Sequence, residues 1–121
     1  MSKQAFRGKW GEGLAVDFLQ RKEYKILAAN WRHRRAEVDI VAETPSGILV
    51  FVEVKTRSST HFGLPEDFVT PAKQRLLVSA ASAFMEAAGY DWEIRFDIIS
   101  ILRHSDQDYE IKHLEDVFWP A

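Results

Sequence analysis

Residues 48–55, Ile-Leu-Val-Phe-Val-Glu-Val-Lys, constrain the possible fold more than any other stretch of this chain. Alternate side chains of a strand point to opposite faces. Ile48, Val50, Val52 and Val54 therefore share one face, and Leu49, Phe51, Glu53 and Lys55 share the other. A strand apolar on both faces belongs in the middle of a sheet covered above and below. This one ends by placing a carboxylate and an ammonium side by side, where the apolar interior stops and ions are costly unless something uses them.

The flanking segments supply the neighbours such a strand requires. YKILAANW (24–31) and EVDIVAE (37–43) read as two strands separated by the basic run Arg32, His33, Arg34, Arg35. In the second, Val38 and Ile40 are assigned to one side and Glu37 and Asp39 to the other. TPSG (44–47) is a tight turn, so this strand and 48–55 form an antiparallel hairpin in which paired positions sum to about 92. Position 39 then lies close to position 53.

Helices are expected on both sides. Residues 8–21 place Trp10, Leu14, Ala15 and Phe18 at helical spacing. Gly11 and Gly13 weaken that helix by about 1 kcal/mol each unless another backbone approaches closely. After a polar loop containing HFGLPED (61–67), Thr70 and Pro71 supply an N-cap and a first-turn proline. Leu77, Ala80, Ala81, Phe84 and Ala88 form the apolar stripe that follows, and Gly89 ends the helix. EIRFDIISIL (93–102) reads as a strand parallel to 48–55, joined to it by a right-handed crossover. EIKHL (110–114) is a last short strand, and EDVFWP (115–120) tucks aromatic rings against the body. The fold class is α/β, with a small mixed sheet in one domain spanning residues 1–121.

Composition excludes several functions. The chain has no cysteine, which removes disulfides, thiolate zinc sites and a cysteine nucleophile and is compatible with a reducing cytoplasm. No window is long and apolar enough for a membrane span, so a cytoplasmic location is expected. With 16 basic and 18 acidic residues, bulk charge gives no support for polyanion binding. Any contact with nucleic acid must use local clusters: Arg32, Arg34 and Arg35 before the Asp39 strand, and Thr56, Arg57 and Lys73 nearer the Glu53 strand end.

Two carboxylates that converge, Asp39 and Glu53, repel unless a positive charge stands between them. Mg²⁺ takes one or two carboxylates, keeps waters and leaves room for a phosphate. Lys55 beside them can position a water or offset developing negative charge. That set suits phosphodiester hydrolysis. His33 and His61 lack a partner at zinc spacing, and a hard cation prefers oxygen. Aromatic residues Trp10, Phe18, Phe51, Phe84 and Phe96 fall at core periodicity, and only Trp31, next to the basic run, is placed to stack on a base.

VDIVAE followed by ILVFVEVK resembles the Asp-(x)n-Glu-x-Lys signature of the PD-(D/E)XK nuclease superfamily, which includes restriction endonucleases and Holliday-junction resolvases. The wider pattern is similar to the YraN-like bacterial family within it. GEGLAVDFL, YKILAANWR, EVDIVA, VFVEVKTR, FGLPEDFVTPAKQRLL and RFDIISI carry the resemblance, in order, over nearly the whole chain. Val38 stands where the proline of the superfamily's name would be. The resemblance implies an αβββαβ core and Mg²⁺- or Mn²⁺-dependent cleavage of DNA, including branched DNA, for which a homodimer would suit two symmetric cuts. It implies Asp39 and Glu53 as metal ligands, Lys55 as the catalytic lysine, Glu12 as an added acidic ligand and Gln74 as a helix glutamine directed to the site. The same residues are compatible with two other readings: a silent nuclease-like module that binds DNA or a DNA-processing partner, and an interaction protein with no nucleic-acid role. The role of Glu37, and DNA against RNA, stay open.

Overall fold

A computed structural model describes residues 3–58 and 69–118 of the chain, with side chains from residue 9 onward. The HFGLPED loop, His61 and Trp119 lie outside the described residues. The elements run α1 (Lys3–Arg21), β1 (Lys25–His33), β2 (Ala36–Glu43), β3 (Leu49–Arg57), α2 (Pro71–Ala88), β4 (Ile94–Arg103) and β5 (Tyr109–Leu114). They build one sheet of order β1-β2-β3-β4-β5. β3 is its middle strand, antiparallel to β2 and parallel to β4.

The two faces of β3 divide as its alternation requires. Val50, Val52 and Val54 join Ala15 and Leu19 of α1, while Leu49 and Phe51 join Leu77, Ala80 and Ala81 of α2. Strand pairing follows the turn. Ile40 meets Val52 and Ala42 meets Val50, each pair summing to 92.

Helix α2 begins and ends where its chemistry dictates. The Thr70 hydroxyl accepts from the Lys73 backbone N–H, Pro71 opens the first turn, and Gly89 closes the helix at φ 65°. Ala88, assigned to the apolar stripe, is exposed at the end of the helix. Phe118 stacks on Phe96 with ring centroids 4.5 Å apart, so the chain does fold an aromatic ring back onto the sheet after β5.

Helix α1 begins earlier than residue 8 and is rotated relative to its expected stripe. Gly11, Ala15 and Leu19 are buried against the sheet, while Trp10, Leu14 and Phe18 are half-buried at the sides. The reason lies at Gly11, where an added Cβ would stand 2.1 Å from Thr56 Oγ1. The helix rests on β3 through this missing side chain. Gly13 has no neighbour within 4 Å of such a Cβ. Gly13→Ala is therefore expected to stabilise the protein by up to about 1 kcal/mol, the usual helix preference. Gly11→Ala should instead destabilise it by about 1–3 kcal/mol through overpacking. Adding Thr56→Ala to Gly11→Ala should recover much of that loss, as read from urea midpoints.

One expected alternation fails. Val38 packs in the α2-side core and Ile40 in the α1-side core, although they are two residues apart. The break coincides with Asp39 and with Asn30 opposite it, between the pairs Ala29–Ile40 and Trp31–Val38. Asn30 has φ 51°, a left-handed conformation that asparagine accepts at low cost and that interrupts regular pleating.

Candidate metal and nucleic-acid site

Pairing of β2 with β3 ends at Ile40–Val52, whereas β3 continues beside β4 to Arg57–Leu102. β3 therefore loses one neighbour just before Glu53, and the backbone N–H groups beyond need new acceptors. Asp39 provides one, as its Oδ2 accepts from Val54 N–H at 2.7 Å. The side chain thus replaces a backbone partner at the opening of the fork, and it is fixed next to Glu53.

Glu53 and Lys55 emerge on the α2 side. Glu53 has a side chain only 7% exposed. Its Oε1 meets Lys55 Nζ at 3.4 Å and also contacts Lys73 Nζ, from the first turn of α2. Its Oε2 is enclosed and has no hydrogen-bond partner. A buried, unpartnered carboxylate oxygen carries a desolvation cost of at least about 1–3 kcal/mol. A cation beside it would remove that cost.

The charges around the fork perturb one another. Burial and the neighbouring Glu53 push the Asp39 carboxyl up to about 7, against the Val54 N–H that favours its ionised form. Glu12 adds to the upward push and Lys73 opposes it. Burial, and then contact with Lys73, holds the Lys55 ammonium below its usual range. Lys73 moves the other way: burial works against its charge, but Glu53, helped by Asp39, outweighs it. Of the two lysines on one carboxylate, Lys55 is the more easily deprotonated.

Asp39, Glu53 and Lys73 line one cavity of about 580 Å³, together with Arg35, Glu37 and Leu77. Glu12 stands on α1 and is half-buried, with its Oε2 accepting from Asn30 Nδ2 at 3.0 Å. It lies within electrostatic reach of Asp39 but not on the cavity wall. Gln74 turns back to the residue before the Thr70 cap, donating from Nε2 to Val69 O at 3.1 Å, and stays off the wall too.

The residues expected to grip phosphate divide. Arg35 lines the cavity. Arg32 pairs with Glu37 at 3.1 Å, which gives Glu37 a definite task as the acidic partner of the basic turn. Arg34 sits at the tip of the β1–β2 turn with φ 56°, where glycine or asparagine would be less strained. Arg57 is half-buried at the end of β3, opposite Leu102. Thr56 is a correction: it faces α1 under Gly11, away from Glu53 and Lys55, because alternation carries it to the other side of the sheet. Lys73, expected among the phosphate contacts, holds Glu53 in this structure. Trp31 packs against the α2-side core, with His33 stacked on it at 6.2 Å. That stacking leaves it a poor platform for a base.

A second polar cluster, around Asp97, lies apart from the expected site residues. Asp97, fully buried on β4, takes both Arg95 Nε and Nη2 at 2.9 Å, His113 Nε2 at 2.7 Å and Asp116 N–H at 3.0 Å. Lys22 Nζ lies 2.9 Å from His113 Nδ1, so that nitrogen is the acceptor and Nε2 carries the proton donated to Asp97. Asp97, His113 and Glu115 offer ligand atoms within 4.8 Å of one another. The oxygens of Asp97 are, however, already occupied, one of its donors being a guanidinium, so the cluster is built as a structural network. The signal in the sequence was Arg95-x-Asp97, the same two-residue spacing on one strand face that singles out Glu53 and Lys55.

Among the described residues, no helix is long and apolar enough to cross a membrane. Comparison with known proteins points to one family throughout. The model of the Uncharacterised protein family UPF0102 matches residues 11–101. The UPF0102 protein FP2501 of Flavobacterium psychrophilum is 51% identical over 112 residues, covering 93% of this chain and 92% of that protein. The UPF0102 protein BF0634 of Bacteroides fragilis is 43% identical over 120 residues, covering 99% and 98%. A UPF0102 protein of Syntrophomonas wolfei is 46% identical over 112 residues, covering 92% and 96%. These names carry a family and no activity.

Proposed function

This chain belongs to the UPF0102 family, and we propose that it is a divalent-metal-dependent nuclease that hydrolyses phosphodiester bonds of DNA. The observation that carries the reading is the fork between β2 and β3. It brings Asp39 and Glu53 to one cavity and leaves a buried carboxylate oxygen without a partner. Oxygen donors of this kind fit a hard cation. Asp39 and Glu53 would hold Mg²⁺ or Mn²⁺, with Glu12 contributing charge from α1 across the sheet opening. When bound, such a cation lowers the pKa of a water and neutralises charge on a phosphoryl group.

The remaining work falls to this chain's own residues. Lys55, whose ammonium is weakened by burial and by Lys73, can take up or release a proton at Nζ more readily than a free lysine. It would accept the proton of an attacking water, acting from beside Glu53 and not from the cavity wall. Arg35, on the cavity wall, can fix a phosphate by charge-assisted hydrogen bonds. Arg34, at the turn tip, extends the positive edge along a backbone. The αβββα order with a parallel β3–β4 pair supports placing the chain in the PD-(D/E)XK superfamily, and a branched substrate cut symmetrically would call for a two-fold dimer.

The test is a cleavage screen over single-stranded, duplex, flap and four-way DNA with Mg²⁺ or Mn²⁺. Cutting of at least one substrate is expected, with Asp39→Ala reducing the rate at least about a hundred-fold. Binding of DNA without cutting, unchanged by Asp39→Ala, would instead make this a silent binding module. Absence of any salt-sensitive binding to DNA or RNA would remove the nucleic-acid role.

A further inference from the structure

We propose that Lys73 is a built-in stand-in for the metal. Its ammonium occupies the cation place beside Glu53 while no divalent ion is bound, and it must leave for the ion to settle. This rests on the reading of Asp39 and Glu53 as metal ligands.

The position of Lys73 in its own helix is the first observation. Thr70 caps α2 and accepts from the Lys73 backbone, which makes Lys73 the third residue of the first turn. That position favours a glutamate, which can reach back to the cap and which suits the positive end of the helix dipole. A lysine there gains nothing from the helix. The first turn of α2 contains no acidic residue to compensate.

The second observation is what Lys73 touches. Its ammonium crosses from α2 to β3 and contacts Glu53 Oε1, although Lys55 already approaches that oxygen from the same strand. Two ammonium groups on one carboxylate repel each other, and the arrangement persists because the negative charges around it outnumber a single lysine. Glu53 and Glu12 both act on Asp39, and Lys73 is the cation that eases the charge there. Lys73 thus does electrostatically what a divalent ion would do.

The third observation is that Lys73 can move. Its side chain is 32% exposed, compared with 7% for Glu53. A flexible four-carbon stem lets the ammonium swing into solvent while the backbone stays capped. The cavity it lines also contains Arg35. Once displaced from Glu53, the ammonium remains on that wall and can meet a phosphate next to Arg35. Ion binding and phosphate binding would then reinforce each other through one side chain, and each would favour the withdrawn lysine.

The inference predicts effects of opposite sign. Without nucleic acid, Lys73→Met and Lys73→Gln should bind Mn²⁺ roughly ten-fold tighter than the wild type, because a competing positive charge is gone. Lys73→Arg should stay close to wild type. With metal present, Lys73→Met should bind duplex or branched DNA several-fold more weakly, the loss of one phosphate contact. Calorimetric or electron-spin-resonance titration with Mn²⁺ alone reads the first effect, and fluorescence anisotropy with labelled DNA in Ca²⁺ reads the second. Equal or weaker Mn²⁺ binding by both neutral variants overturns the stand-in role while leaving the ligand assignment intact. If wild type and variants alike bind no Mn²⁺ at millimolar concentration, and Asp39→Ala changes nothing, the ligand assignment falls and this inference with it.

Discussion

Asp39→Asn is expected to stabilise the metal-free protein at pH 8 by roughly 2–4 kcal/mol, a large gain for one surface-cleft substitution. The carboxyl is pushed up to about 7 in the folded chain by burial and by Glu53, from an ordinary value of 3.8. Below the lower value both folded and unfolded chains are protonated there, and the substitution gains nothing. Between the two values the unfolded chain gives up its proton while the folded chain keeps it, so native stability falls as pH rises. Above 7 the full penalty is in place, at about 1.4 kcal/mol per unit of difference. Asparagine removes the charge and keeps an oxygen for the Val54 N–H. Urea unfolding in EDTA at pH 4, 6 and 8 should show the variant's advantage growing with pH. A variant less stable than wild type at pH 8 would mean that the carboxylate is a comfortable structural acceptor, and the electrostatic picture of the fork would be wrong. The same substitution should abolish Mn²⁺ binding, so stability and ligand affinity would change in opposite directions, as expected where a site stores repulsion for a ligand to relieve.

The opposite outcome is expected at Asp97. Asp97→Ala should destabilise the protein by about 3–5 kcal/mol, because it leaves the Arg95 guanidinium and His113 without their buried acceptor. Hydrogen bonds from His113, Arg95 and the Asp116 N–H overcome burial and hold this carboxyl below the usual range. A depressed acid contributes stability above its unfolded value and loses it as pH falls through the folded one. The wild-type protein should therefore lose part of its stability below about pH 4, and the variant should lose less over that interval. Glu115, whose side chain is 52% exposed and which meets Arg95 only at 3.4 Å, serves as a control. Glu115→Gln should change stability by less than about 1 kcal/mol.

What could be read along the chain was what depends on short separations. The two faces of residues 48–55, the caps Thr70, Pro71 and Gly89, and the pairing sum of 92 follow from alternation, capping chemistry and turn length. These rules placed Asp39 beside Glu53. The same rules misplaced Val38 relative to Ile40, because the irregularity at Asn30 and Asp39 depends on a contact between strands that local periodicity does not encode. Thr56 follows Lys55 in the chain, which suggests a place at the same strand end, although alternation turns its side chain to the α1 face. Lys73 reaches Glu53 from the crossover helix, and Asp97 meets His113 from a neighbouring strand. Both pairs come from through-space packing, and a side chain's neighbour there is fixed only once helix and sheet are docked.

The strand order has a kinetic consequence. Because the sheet follows chain order, each neighbouring pair except one is joined by a short turn that closes quickly. The exception is β3 with β4, which must await the whole of α2. Long-range closure of this kind is the slow event in small mixed domains. Glu53 stands on β3, and Lys73 on the crossover helix that this closure docks. A nascent chain would therefore hold its β1–β3 meander, with both carboxylates already adjacent, before the lysine from α2 arrives to quench them.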